Sequence, residues 1–100
     1  MPIMSFLPER QGSTYYSATL SATGWSDTVP HTQTITVQGM TSSITPIIAP
    51  SYSAGLSTAL AEKEAWACVD QAITGTNTIT FKCLETKPET AITVQIGVIV

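Results

Sequence analysis

The sequence predicts a mainly β protein: a two-layer β-sandwich of about six strands with one short helix and an extended N-terminal arm. Three observations lead there. Of 100 residues, 27 are Ser or Thr and 17 of these are Thr, whereas Asp, Glu, Lys and Arg make up only 11%. Threonine is branched at Cβ and suits the pleated surface of a strand. Apolar and polar residues alternate in several short runs bounded by Gly, Pro or Asn. No charged residue occurs between Asp27 and Glu62, so polarity there comes from hydroxyls and amides.

This length makes one domain. With 43% apolar residues it can bury one modest core. Four basic against seven acidic residues give a net charge of −3. That balance excludes a basic nucleic-acid binder and offers no attraction to an anionic membrane. No run approaches the ~18 apolar residues of a membrane span, so no membrane insertion is expected. Met1-Pro2-Ile3-Met4-Ser5-Phe6-Leu7-Pro8 lacks a basic n-region and is too short in apolar residues for a signal peptide. Synthesis and assembly in the cytoplasm are the corresponding expectation.

Residues 1–14 read as the arm and residues 15–100 as the sandwich module. The arm is apolar at Ile3, Met4, Phe6 and Leu7, while Pro2 and Pro8 resist helix and ladder formation. Those four residues are candidates for docking on another subunit. Tyr15 to Ala22 is the first predicted strand, broken by the turn around Gly24. His31 to Gln38 alternates cleanly, with Ile35 and Val37 on one side and Thr34, Thr36 and Gln38 on the other. Gly39 ends it. Ile44 to Ala49 is a short apolar run whose Pro46 demotes it to an edge strand or bulge.

Pro50 to Leu56 reads as a loop, after which Ser57 or Thr58 can cap a helix. Glu62 and Glu64 suit the positive end of its dipole. A helix continued to Ile73 would place Ala61, Ala65, Val69, Ala72 and Ile73 on one face. The favoured reading ends it near Glu64 and forms a hairpin of 66–73 with 78–84. A Gly75-Thr76-Asn77 loop with Asn77 left-handed pairs Ile73 with Ile79, Gln71 with Phe81 and Val69 with Cys83. A register one residue away would set Cys68 opposite Cys83, but would put the Asp70 carboxylate beside Phe81, which is costly. Both thiols are therefore expected free, with Cys83 a small core hydrophobe. Glu85 to Thr90 is a turn. In the last strand Ile92, Val94, Ile96, Val98 and Val100 share a face, and Ile99 makes the other face apolar as well. A strand this apolar belongs in the centre of a sheet or beneath another chain, and Ile99 joins the candidate assembly residues.

No catalytic or cofactor-binding constellation is found. His31 is the only histidine, and Gly24-Trp25-Ser26-Asp27 contains no G-x-S-x-G elbow. Two Cys and one His lack zinc-ligand spacing, no Gly-rich phosphate loop precedes a helix, and the acidic residues match no calcium loop. The chain is thus read as a non-enzyme with no cofactor and no metal. Trp25 and Tyr52 are candidate aromatics for stacking on a sugar ring, against their use in a core or a subunit contact.

One stretch resembles a known module. Gly24-Trp25-Ser26, a short spacer, then Pro30-His31-Thr32-Gln33-Thr34-Ile35-Thr36-Val37 with Gly39 soon after, is similar to a small module in structural proteins of tailed bacteriophages and prophages. Its pattern is G-W-S, a spacer, P-Y-T-Q-T-[VI]-x-V and a Gly; His31 stands where Tyr is more usual. Thr80-Phe81, Lys87-Pro88 and Thr93-Val94-Gln95-Ile96 resemble its end, so the likeness spans roughly residues 17–100. The resemblance implies a virion component built in the host bacterial cytoplasm, as capsid decoration, head fibre, tail fibre or baseplate subunit. Its implied partners are other virion proteins and copies of itself, with a trimer the first expectation by analogy. A host-surface glycan is the alternative partner.

Overall fold

A computed structural model describes residues 13–99. The chain is mainly β, with six strands in two three-stranded antiparallel sheets and one short helix. Sheet A has the order β1 (Ser13–Leu20), β6 (Ile92–Ile99), β3 (Ile47–Ser51). Sheet B has the order β2 (His31–Thr36), β5 (Thr78–Cys83), β4 (Gln71–Gly75). The helix α1 (Leu56–Trp66) lies between β3 and β4 in the chain.

The alternation seen in sequence becomes the inward face of each sheet. Ile92, Val94, Ile96 and Val98 of the central strand β6 are buried, as is Leu20 of β1. Ile79, Phe81 and Cys83 of β5 face them from sheet B and join the same core cluster. Val37, Met40 and Trp25 fill it from the connections, and Ala65 from α1. Trp66 closes one side by meeting Phe81 edge to face, with ring centroids 6.5 Å apart. The strongly apolar last strand is therefore central, with its backbone paired on both edges.

Several boundaries differ from the sequence expectation, each for an identifiable reason. β1 begins and ends two residues earlier, because its ladder follows β6 from Ser13↔Ile99 to Leu20↔Ile92. β2 stops at Thr36, after which Val37 N–H turns away to donate to the Asn77 carbonyl at 2.9 Å. The third strand occupies 47–51 instead of 44–49; as an edge strand it accommodates Pro50 opposite Val94.

The helix is not capped by Ser57 or Thr58. Gly55 is its N-cap and makes no side-chain cap bond. Glu62 lies beyond the first turn and faces inward, where its two oxygens accept from Ser53 N–H at 2.7 Å and Ser53 Oγ at 2.8 Å. It fastens the incoming loop to the helix instead of answering the dipole.

The hairpin pairs β4 (71–75) with β5 (78–83), and its register is one residue from the expected one. Ile73 pairs with Thr80, Ala72 with Phe81 and Gln71 with Lys82. Asn77 is left-handed as expected, with φ 58°. However, it is bonded three times to the 37–40 turn: its N–H donates to Met40 O, its carbonyl accepts from Val37 N–H, and its Oδ1 accepts from Gly39 N–H. Those tertiary bonds tighten the turn to Thr76-Asn77 and outweigh the loss of Ile73 to the surface, where it is 47% exposed. Asp70 stays in solvent and accepts from Leu84 N–H at 2.7 Å, ending the β4–β5 ladder. Cys68 and Cys83 are both free thiols, half-buried and buried respectively.

Candidate functional site

The placement of charge singles out one surface. None of the three strands of sheet A contains Asp, Glu, Lys or Arg. The ionic groups of the described residues lie instead on α1, on sheet B and in the connections, including the Asp27–Lys87 pair at 3.1 Å. One whole layer of the sandwich thus presents water with hydroxyl, amide and apolar groups alone. Such a face is cheaper to desolvate than a charged one.

Register arranges that outer face in rows. Tyr15 and Ile47 flank Gly97; Ser17 and Ala49 flank Gln95; Thr19 and Ser51 flank Thr93. The first row is apolar and the last is all hydroxyl. Tyr15 is 78% exposed and Ile47 70%. Gly97 has no side chain of its own and the Tyr15 ring leans over it, and beside the ring an open hollow of about 150 Å³ is lined also by Ile47, Ala49, Gln95 and Val98. Inward-facing Tyr16, next along β1, is anchored through its hydroxyl, which donates to the Gln38 carbonyl at 2.7 Å.

The residues singled out from sequence fare differently. Ile3, Met4, Phe6 and Leu7 lie outside the described residues. Ile99 pairs through its backbone with Ser13 at the end of sheet A that holds the apolar row. Trp25 requires a correction: it is only 5% exposed and belongs to the core cluster, so it offers no face for a sugar. The broken segment between β1 and β2 folds inward because the indole has more apolar surface to bury than any neighbour there. Its Nε1 has no hydrogen-bond partner among the described residues. Tyr52 is 43% exposed just past β3, beyond the Ser51–Thr93 row. It therefore stands at the opposite end of sheet A from Tyr15, and the two do not form one stacking platform.

The chemically versatile side chains are tied to structure. His31 is buried at the start of β2, and its Nδ1 donates to the Ser26 carbonyl at 2.7 Å. Cys68 lies near Thr86 Oγ1 at 3.6 Å and directs its thiol at the Glu64 carbonyl. Burial, and secondarily the nearby Cys68 and Asp70, push the Cys83 thiol up to about 11. Among the described residues no three His, Cys, Asp or Glu come together to hold a metal, and no helix is long and apolar enough to cross a membrane.

Sequence reasoning did not commit to Tyr15 and Ile47. The signal for Tyr15 was present: if Tyr16, Ala18 and Leu20 face inward, Tyr15 must face out beside Ser17 and Thr19. For Ile47 the uncertain frame around Pro46 hid it. Compared with known proteins, the chain matches no family model, no curated protein and no solved structure.

Proposed function

We propose that this protein is a non-enzymatic structural component of a bacteriophage virion, a small accessory subunit of capsid, fibre or baseplate that works by protein–protein assembly. The observation that carries this reading is the charge-free layer of sheet A with Tyr15 and Ile47 exposed on it. A large uncharged surface with an apolar end is suited to disappear against a neighbour. The motif resemblance from Gly24 to Gly39 supplies the virion context, and symmetric self-association, first as a trimer, supplies the architecture. In this reading the protein is made in the host bacterium and ends in the particle.

Glycan binding at the host surface is the weaker reading, because of the two candidate aromatics Trp25 is buried and only Tyr52 offers an exposed ring. The test is sedimentation of the purified chain over a range of concentrations, together with its recovery on phage particles. Assembly above the monomer mass and particle attachment are expected, and both should drop when Tyr15→Lys and Ile47→Lys place charge on sheet A. A chain that stays monomeric and unattached defeats the reading.

A further inference from the structure

We propose that β1 pairs edge to edge with β1 of a second copy of this chain, antiparallel and centred on Ser17, joining two copies of sheet A into one six-stranded sheet. The contact lies at the rim of the sheet and goes beyond the assembly reading above, which concerns its outer face. Among the described residues β6 is the only strand paired with β1, so one side of β1 is an open edge. The ladder runs unbroken from Ser13↔Ile99 to Leu20↔Ile92, with no bulge to bend the rim away. β1 is also the longest of the four edge strands, at eight residues. It holds no charge and no proline, the devices that keep an edge strand from pairing with another chain. At the opposite rim of sheet A, β3 is five residues long and contains Pro50, which has no N–H to donate. Burial agrees with an open rim. Tyr16 and Ala18 point toward the core yet are only half-buried, whereas Leu20 on the same face is fully buried.

A second copy suits this rim because the strand is complementary to itself. A two-fold contact sets each patch against the same patch, so any charge on it would meet its like. β1 has none, and the net charge of −3 is carried by groups outside the strands of sheet A. Inward residues must meet inward residues, so the two-fold falls on a residue and not between two. Centred on Ser17, the pairing runs over residues 14–20. Tyr16 then stands opposite the partner's Ala18, a ring beside a methyl, and Tyr15 opposite the partner's Thr19. Centred on Tyr16, two rings would collide, each already held by the 2.7 Å bond from its hydroxyl to the Gln38 carbonyl. Pairing about Ser17 covers Tyr16 and Ala18 and gives partners to backbone groups on the open side of β1. The uncharged outer face of sheet A then continues across both copies.

The test uses the full-length chain in a Cys68→Ser background, oxidised at concentrations where it associates. Opposed residues of antiparallel strands lie about 4.5–5.5 Å apart between Cα atoms, within disulfide range. Ser17, Gln95 and Ala49 form one row across sheet A, from the β1 rim to the β3 rim. Ser17→Cys is expected to link to itself between chains at ten or more times the yield of Gln95→Cys or Ala49→Cys. Comparable yields at 17 and 95 overturn the proposal, because they mean that sheets stack face on face. Absence of the 17 link from chains that associate overturns it too. Charge exchange gives a second readout. Ser17→Lys and Ser17→Glu should each weaken self-association tenfold or more, and an equimolar mixture should restore it, because the two-fold sets ammonium against carboxylate. If the mixture associates no better than either variant alone while the parent associates, edge pairing falls and the assembly reading stands. If the parent is monomeric at high concentration, both fall.

Discussion

The ring of Tyr15 lies over Gly97: a β-carbon on the glycine would stand 3.1 Å from the tyrosine Cε1 and 3.4 Å from its Cδ1. An aromatic ring thus covers backbone that the neighbouring strand leaves bare, while its far side remains in solvent. Replacing the glycine sets strand propensity against this contact. Gly97→Val gains a β-branched residue but pushes the Tyr15 ring aside and fills the hollow. Net stability should change by less than about 1 kcal/mol, since the ring is free to move into water. Self-association should fall nonetheless. Denaturant unfolding and sedimentation on the same variant separate the two effects, and unchanged association would show that the hollow is not used.

Asn77 joins the β4–β5 hairpin to the end of β2, and substitutions there should rank in a definite order. Asn77→Gly keeps the left-handed backbone at φ 58° but loses the 2.9 Å bond from Gly39 N–H. About 1 kcal/mol is the expected cost. Asn77→Ala loses the bond and strains the backbone, for about 2 kcal/mol or more. Asn77→Asp keeps an acceptor at Oδ1 and should be the mildest. Equal destabilisation by Gly and Ala would mean that backbone conformation contributes nothing.

That residue also marks where sequence reading stops. The alternation in Ile92–Val98 and His31–Val37 is local, so the central strand of sheet A and the edge strand β2 were legible. The positive φ of Asn77 was legible too, because asparagine tolerates it. The register was not, since it depends on bonds to residues 37–40, far away in sequence. Glu62 was misread for the same reason: its partner, Ser53, precedes the helix, and a carboxylate on a helix gives no sign that it points inward. Trp25 shows the limit for single aromatics, whose sequence neighbours do not distinguish a core position from a binding face. The uncharged layer was half visible as the gap between Asp27 and Glu62. Its concentration on one sheet became evident only when β1 and β6, from opposite ends of the chain, were seen paired.

The bond pair from Ser53 to Glu62 should be measurable as a coupling. Glu62→Ala removes a buried acceptor and leaves Ser53 N–H and Oγ without the partner they reach at 2.7 and 2.8 Å. A loss of about 1–3 kcal/mol is expected. Ser53→Ala removes only the hydroxyl bond and should cost less. The double variant should cost less than the sum, with an interaction energy of about 0.5 kcal/mol or more in a double-mutant cycle. Strict additivity would show that the carboxylate is not holding the loop through this serine.

The two thiols should differ sharply in behaviour. Cys83 is fully buried at the end of β5, and burial, with Cys68 and Asp70 adding to it, pushes its titration from 9.0 up to about 11. In the native protein at neutral pH a thiol reagent should label Cys68 alone, with Cys83 reacting only after denaturation. The raised value also fixes a sign for pH dependence. Below 9.0 both folded and unfolded chains hold the Cys83 proton, so its contribution to stability is fully present there. Between 9.0 and about 11 the unfolded chain releases the proton while the folded chain keeps it, so stability falls as pH rises. The slope is at most about 1.4 kcal/mol per pH unit. Above that window both forms are ionised and the contribution is lost. Unfolding of the parent and of Cys83→Ala between pH 8 and about 11 isolates the effect, because the alanine variant lacks this part of the slope. Matching slopes in the two proteins would mean that the thiol titrates alike whether the core is closed or open.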